Sequence, residues 1–362
     1  MDSRLRGNDE GGLVTASSIA AQRLERLIEQ GGSVPVSLFM AYANQHYYAT
    51  RDPLGTDGDF TTAPEISQMF GEMIGLWCAD LWMRARQPAL AYVELGPGRG
   101  TLAADALRSM RQFGLTPMVH FVETSPVLRD LQAAAAPGAT FHADVSTLPA
   151  DLPLLVIANE FFDALPIRQL VMTAEGWRER VVTLADGTFV PAAGRLPMDA
   201  VVPAALRRAS EGAIVEASPA SVAIARDLAT TLARQGGAML VIDYGYAEAA
   251  PGDTLQAVER HRYADAFEGV GERDITAHVD FGALATVARH EGLTVAGPVG
   301  QGDFLRRLGI EARAQALASR NRAREADVEQ ALQRLIHADQ MGTLFKVMAM
   351  RHEAWPQAEG FG

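Results

Sequence analysis

The chain has 362 residues, 48% of them hydrophobic, enough to bury one large core or two modest ones. Its formal net charge of −12 argues against nucleic acid as the main partner, because phosphate binding needs a basic face, while a basic protein substrate stays compatible. One cysteine, Cys78, excludes an internal disulfide and fits a reducing compartment.

Residues 1–12 are polar and lack the apolar core of a signal peptide, so 1–16 is expected to be a disordered extension. Residues 17–30 put Ile19, Leu24, Leu27 and Ile28 on one side of a helix that Gly31-Gly32 would stop. Further helices are predicted over 36–45 and 67–86, separated by a turn-rich loop at 52–60. From 88 the pattern changes. Short apolar runs at 89–95, 119–123, 140–143, 154–158 and 238–242 alternate with helix-like segments. That is the rhythm of an α/β fold with a doubly wound, Rossmann-like sheet of buried parallel strands. Between the fourth and fifth runs, residues 168–213 alternate around Glu175-Gly176 and Asp186-Gly187 and predict β-hairpins. A helix is expected at 219–235, a strand at 254–258, helices at 281–291 and within 310–337, and a closing edge strand at 344–350. The expected division is a helical region over 17–87, a core over 88–167 and 214–352, the insertion over 168–213, and a tail over 353–362. No apolar run approaches the roughly 18 residues that span a bilayer, so a soluble cytoplasmic protein is expected.

The first strand runs into Glu94-Leu95-Gly96-Pro97-Gly98-Arg99-Gly100-Thr101, with a helix directly behind it. Glycine serves where backbone must turn sharply and approach a ligand without a Cβ in the way. A dinucleotide fingerprint would put its third glycine at 101, where this chain has Thr101, which speaks against a nicotinamide site. An acid two before G-x-G-x-G instead fits the S-adenosylmethionine loop of class I methyltransferases. Glu94, Gly96, Pro97, Gly98 and Gly100 are therefore candidate cofactor residues. In such a sheet the ligand sits at the carboxyl ends of the strands. Glu123, ending the second strand, is the candidate for the ribose hydroxyls. Asp144 could accept from the adenine amino group with Val145 against the ring, or cap a helix instead.

The fourth strand ends in Asn159-Glu160-Phe161-Phe162-Asp163, where the methyl group and its acceptor would meet. Methyl transfer is an in-line displacement that needs alignment and a dry pocket more than acid–base help. For an arginine acceptor, carboxylates that bind the guanidinium can orient its plane and localise charge away from the attacking nitrogen. Glu160 and Asp163, with Asn159, are the candidates; the alternative is a turn with capping residues and core phenylalanines. Thr61 and Thr62, in the polar loop before the third helix, suit a lid over the cofactor, although Thr62-Ala63-Pro64-Glu65 also makes an ordinary helix start. The eight histidines show no paired metal-ligand spacing, and no metal is expected.

Several segments together resemble one family, the MidA-like S-adenosylmethionine-dependent methyltransferases. They are Gly58-Asp59-Phe60-Thr61-Thr62-Ala63-Pro64-Glu65-Ile66-Ser67-Gln68, the glycine loop, Asn159-Glu160-Phe161-Phe162-Asp163-Ala164-Leu165-Pro166, Ile242-Asp243-Tyr244-Gly245-Tyr246, His278-Val279-Asp280-Phe281, Gln301-Gly302-Asp303-Phe304-Leu305 and Met341-Gly342-Thr343-Leu344-Phe345-Lys346-Val347. The resemblance implies a class I methyltransferase core with a helical N-terminal extension and a β-rich insertion before the fifth strand. It also implies S-adenosylmethionine as cofactor and protein arginine as acceptor. The family's mitochondrial members are complex I assembly factors, which implies a respiratory complex I subunit as protein partner. The double-glutamate loop of the common arginine methyltransferases is not recognisable, so the roles of Glu160 and Asp163 rest on position. A small-molecule methyltransferase of the same fold and a non-catalytic assembly chaperone stay open, as does a homodimer.

Overall fold

A computed structural model describes residues 18–50, 62–259 and 262–362. The expected extension at 1–16 and the predicted loop at 52–60, including the lid candidate Thr61, lie outside the described residues. Helix α1 (Ile19–Gly31) starts at Ser18, whose side chain accepts from the Ala21 N–H, and ends at Gly32 in a left-handed conformation. After β1 (Val34–Pro35), helix α2 (Val36–Thr50) outruns its predicted end at 45, carrying the buried Tyr47 on its inner face. The helix-start reading of 62–65 is realised as α3 (Ala63–Ile66), followed at once by α4 (Gln68–Arg84), which Ser67 caps.

The alternating stretch then runs β2 (Ala91–Leu95), α5 (Thr101–Gln112), β3 (Met118–Val122), α6 (Pro126–Ala135), β4 (Thr140–His142) and β5 (Leu154–Asn159). The insertion follows as β6 (Arg168–Thr173), β7 (Gly176–Ala185), β8 (Thr188–Pro197) and β9 (Ile214–Ala217). The chain returns through α7 (Pro219–Gln235) and β10 (Gly237–Tyr246). Next come β11 (Gln256–Glu259), β12 (Arg262–Ala264), β13 (Asp274–Thr276), β14 (Val279–Asp280), α8 (Phe281–His290), β15 (Thr294–Gly300), α9 (Gln301–Arg307), α10 (Ile310–Arg320), α11 (Glu325–Ile336) and β16 (Phe345–Arg351).

The main sheet has the order β15-β16-β10-β5-β2-β3-β4. The five strands predicted from apolar runs pair in parallel, as expected for strands buried on both faces. One face packs on α4, α5 and the helices after β15; the other packs on α7 and α8. Cys78 sits on α4 in the first of these cores, fully buried, and burial raises its thiol pKa. Helices α4 and α5 approach closely enough that a Cβ on Gly71 would lie 2.6 Å from the Asp105 Cβ.

Two strand expectations are corrected. The closing segment β16 is no edge: it pairs antiparallel with both β10 and β15. The true edge, β15, went unpredicted because Gly297-Pro298 interrupts its run; the register shifts there, and proline is tolerated on an edge strand. The hairpin prediction for the insertion holds, but its sheet runs past 213, because β9 pairs with β6 rather than with the core. The strand predicted at 254–258 is β11, the middle of a separate three-stranded sheet β12-β11-β13. Helices α1 and α2, the insertion sheet and this small sheet share a third core around Phe39, Met40, Val182 and Ile275.

Candidate active site

Strand order reverses between β2 and β5, so the segments following these two strands splay apart at the carboxyl edge and leave a crevice. A cavity of about 800 Å³ opens there, lined by residues of both segments, of α2, α3 and β13, of the segment after β3 and of the stretch around 334–345.

On the β2 side the backbone does most of the lining. Gly96, Gly98 and Gly100 have φ of 58°, 56° and 80°, the left-handed region that only glycine enters freely. At Gly96 a Cβ would also meet the Phe161 ring at 3.1 Å. Gly96, Pro97 and Gly98 line the cavity, whereas Gly100 caps α5 behind them, against Gln132 and Ala135. Gln132 ties the loop to the next strand, donating to the Gly98 carbonyl (2.7 Å) and to Glu123 Oε2 (3.0 Å). Glu123 Oε1 accepts the Thr124 and Ser125 N–H groups, both at 2.7 Å, which fixes its carboxylate in the cavity wall. Glu94 is 3% exposed and accepts from the Tyr92 hydroxyl at 2.7 Å; burial pushes its carboxyl up to about 8. Thr62 lines the cavity near Glu65, whose Oε1 accepts from the Thr101 hydroxyl at 2.5 Å.

On the β5 side, side chains do the lining. Asn159, Glu160 and Asp163 all reach the cavity. Glu160 has a φ of 49°, uncommon for a residue with a Cβ, and its Oε1 accepts from the Ala63 N–H (3.3 Å) and the Asn159 amide (3.2 Å). Burial, then the charge of Asp163, push Glu160 up to about 7. Asp163 is raised by burial too, with the Tyr244 hydroxyl partly countering. Oδ1 of Asn159 and Oδ1 of Asp163 are both sealed from solvent without a hydrogen-bond donor among the described residues. Buried acceptors of this kind call for a partner.

The turn is held by a residue not singled out from sequence. Asp243, fully buried in β10 where its apolar run ends, accepts through Oδ2 from the N–H groups of Phe161 (3.2 Å), Phe162 (3.0 Å) and Asp163 (3.3 Å). Its Oδ1 accepts the Tyr244 N–H at 3.0 Å. It ends the apolar run 238–242, so the strand-tip rule applied to the other strands would have found it. Asn44, Tyr48, Asp274, Tyr244 and His278 also line the cavity, and only the last two fell within a recognised motif. Asp144 and Val145 stand apart. Asp144 is exposed, lies off the lining, and its Oδ1 accepts the Ser146 N–H at 2.7 Å, so here it fills the capping role.

A parallel switch-point crevice with a glycine backbone cradle, a carboxylate on the neighbouring strand tip and no phosphate-loop lysine defines the class I methyltransferase architecture. The cradle and the orphaned Asn159 acceptor fit a cofactor that carries an ammonium group and a ribose.

Comparison with known proteins agrees. Residues 73–299 match the model of a family of S-adenosyl-L-methionine-dependent methyltransferases. The mitochondrial protein arginine methyltransferase NDUFAF7 of Xenopus tropicalis is 33% identical, the match covering 93% of this chain and 86% of that protein. Its human counterpart is 34% identical over 84% of this chain and 76% of its own length. A Burkholderia thailandensis protein solved with bound S-adenosyl-homocysteine superposes with a TM-score of 0.83 at 29% identity, covering 94% of this chain and 93% of its own. The chain therefore belongs to this methyltransferase family and is an S-adenosylmethionine-dependent enzyme. The cytoplasmic expectation is overturned, because these relatives are named as mitochondrial proteins. Among the described residues no helix is long and apolar enough to cross a membrane.

Proposed function

We propose that this enzyme methylates an arginine side chain of a protein substrate. The observation that carries the reading is the carboxylate pair on the turn after β5, Glu160 and Asp163, inside the same cavity as the glycine cradle. In this reading the Gly96–Gly98 backbone and the Asn159 Oδ1 hold the amino-acid end of the cofactor, and Glu123 holds the ribose, with Thr62 at the rim. The bound cofactor supplies a methyl group on a sulfonium. Glu160 and Asp163 hold the guanidinium in plane, draw its charge away from the attacking nitrogen, and exclude water by filling the turn. Names borne by the relatives, protein arginine methyltransferase, support the acceptor class. For the partner we carry the resemblance further, to a respiratory complex I subunit methylated during assembly.

Mass spectrometry of protein-bound methylarginine in cells lacking the enzyme, complemented with the parent or Glu160→Gln, tests this. Expected is one arginine site whose methylation the parent restores and the variant does not, while the purified variant still binds S-adenosylhomocysteine. Full restoration by the variant would remove Glu160 from catalysis and favour a holding role. No changed arginine site, alongside a methylated metabolite, would favour a small-molecule acceptor.

A further inference from the structure

The cavity wall facing the acceptor is built partly outside the methyltransferase core. We propose that Asp274 on β13, held by the Tyr48 hydroxyl of α2, joins Glu160 and Asp163 as a third carboxylate of the clamp for the acceptor guanidinium. The proposal rests on the arginine reading and adds an acid from outside the β5 turn.

Segment 274–277 is stitched to the β5 turn. The Asn44 side chain donates to the Ala164 carbonyl (3.0 Å) and the Ile275 carbonyl (2.7 Å), and accepts from the Ile275 N–H at 3.1 Å. The Ala277 N–H donates to the Asp163 carbonyl at 3.0 Å. These bonds bring two acids more than a hundred positions apart into one wall, and both line the cavity. Asp274 is 5% exposed and its Oδ1 accepts from the Tyr48 hydroxyl at 2.9 Å. Tyr48, Asp163 and Asp274 all line the one cavity.

A second observation points to a ligand rather than to a structural acid cluster. Asp163 is also 5% exposed, yet its Oδ1 has no donor among the described residues. A guanidinium suits this wall: it carries five N–H donors in a planar fork and no acceptor, so carboxylates on separate segments can each take one edge. Tyr48 and Tyr244 line the same cavity, and aromatic rings attract cations.

The full chain saturated with S-adenosylhomocysteine is titrated with N-acetyl-arginine methylamide, and with the citrulline analogue as neutral control, by calorimetry and ligand-observed NMR. Expected is binding of the arginine probe alone. Asp274→Asn should weaken it by at least about tenfold, with recovery in Asp274→Glu. Tyr48→Phe, a change to a positioning residue, should cost about threefold and lower the arginine-over-citrulline preference. S-adenosylhomocysteine affinity should stay within about twofold of the parent in all three, which also reports that they fold. Unchanged arginine binding in both Asp274→Asn and Tyr48→Phe overturns the clamp and leaves the arginine reading standing. Equal binding of the citrulline probe does the same. A parent that binds S-adenosylhomocysteine but not the arginine probe brings down the arginine reading and the clamp with it.

Discussion

The two halves of the cavity meet at Gly96 and Phe161 and are built by opposite means. After β2 the chain offers backbone: three glycines in left-handed conformations within five residues, stabilised by one glutamine. After β5 it offers carboxylates, and their placement depends on Asp243, eighty positions along the chain, and on α2 and β13 further away still. A backbone cradle depends locally on glycine at its positive-φ positions, where a side chain would be strained and would stand in a ligand's way. A carboxylate site depends on distant elements, because each buried acid needs its partners delivered from elsewhere. The same contrast orders the expected effects of substitution.

The largest effect should come from Gly98→Val. Its φ of 56° is strained for any Cβ, and a branched side chain would stand in the cofactor's approach path. Calorimetry should show S-adenosylhomocysteine affinity falling by about a hundredfold or more. Unchanged affinity would mean that the cradle is not where the cofactor lies.

Next is Asp243→Asn. One carboxylate oxygen now accepts three N–H groups, and an amide can present either a carbonyl or more N–H donors there. Leaving those buried N–H groups without their acceptor costs about 2–3 kcal/mol. Because the substitution spares the glycine loop, methyl transfer should fall by about fiftyfold while cofactor affinity moves little. A parallel loss of cofactor binding would erase the distinction between the halves.

The third concerns pH. Burial lifts Glu160 to about 7, so the acid is largely protonated below neutrality, and a cationic acceptor needs it ionised. Transfer measured as kcat/KM should therefore rise with pH up to about 7 and then level off, and Glu160→Gln should flatten that limb. Stability should run the other way. A carboxyl raised above its unfolded value stabilises most below the unfolded value of about 4.3 and loses that contribution as pH rises through the folded value. Glu94, raised to about 8, extends the loss further, and thermal melts of Glu94→Gln should decline less between pH 6 and 9. A transfer profile that falls between pH 6 and 7 would assign the acceptor contact to another group.

The smallest effect belongs to Asp144→Asn. Its exposed carboxylate caps the turn after β4, which an amide oxygen can still do, so cofactor affinity should change by less than about threefold. A tenfold loss would return Asp144 to the adenine contact that its strand-tip position predicts.

Legibility in the sequence follows the range of the interactions. Five parallel strands were readable because burial on both faces writes an unbroken apolar run, and the glycine loop because positive φ selects one residue type. Glu160 and Asp163 were readable as polar residues closing such a run. Asn44 and Tyr48 were not, since on α2 they have the spacing of any helix face, and their partners lie beyond residue 160. The strand β15 was hidden by its own proline, and β16 was taken for an edge because pairing partners leave no mark on a strand's own composition.

By itself, then, the amino-acid sequence determined the sheet's parallel core, the glycine loop after β2 and the acids at the strand tips, all set by local backbone conformation and apolar periodicity. Tertiary structure alone decided that Asp243 clamps the β5 turn, that Asp144 caps rather than lines the cavity, and that Asp274 and Tyr48 line the same cavity as Asp163. Those outcomes depend on which distant N–H groups and hydroxyls arrive at a buried carboxylate, and only the folded chain brings them there.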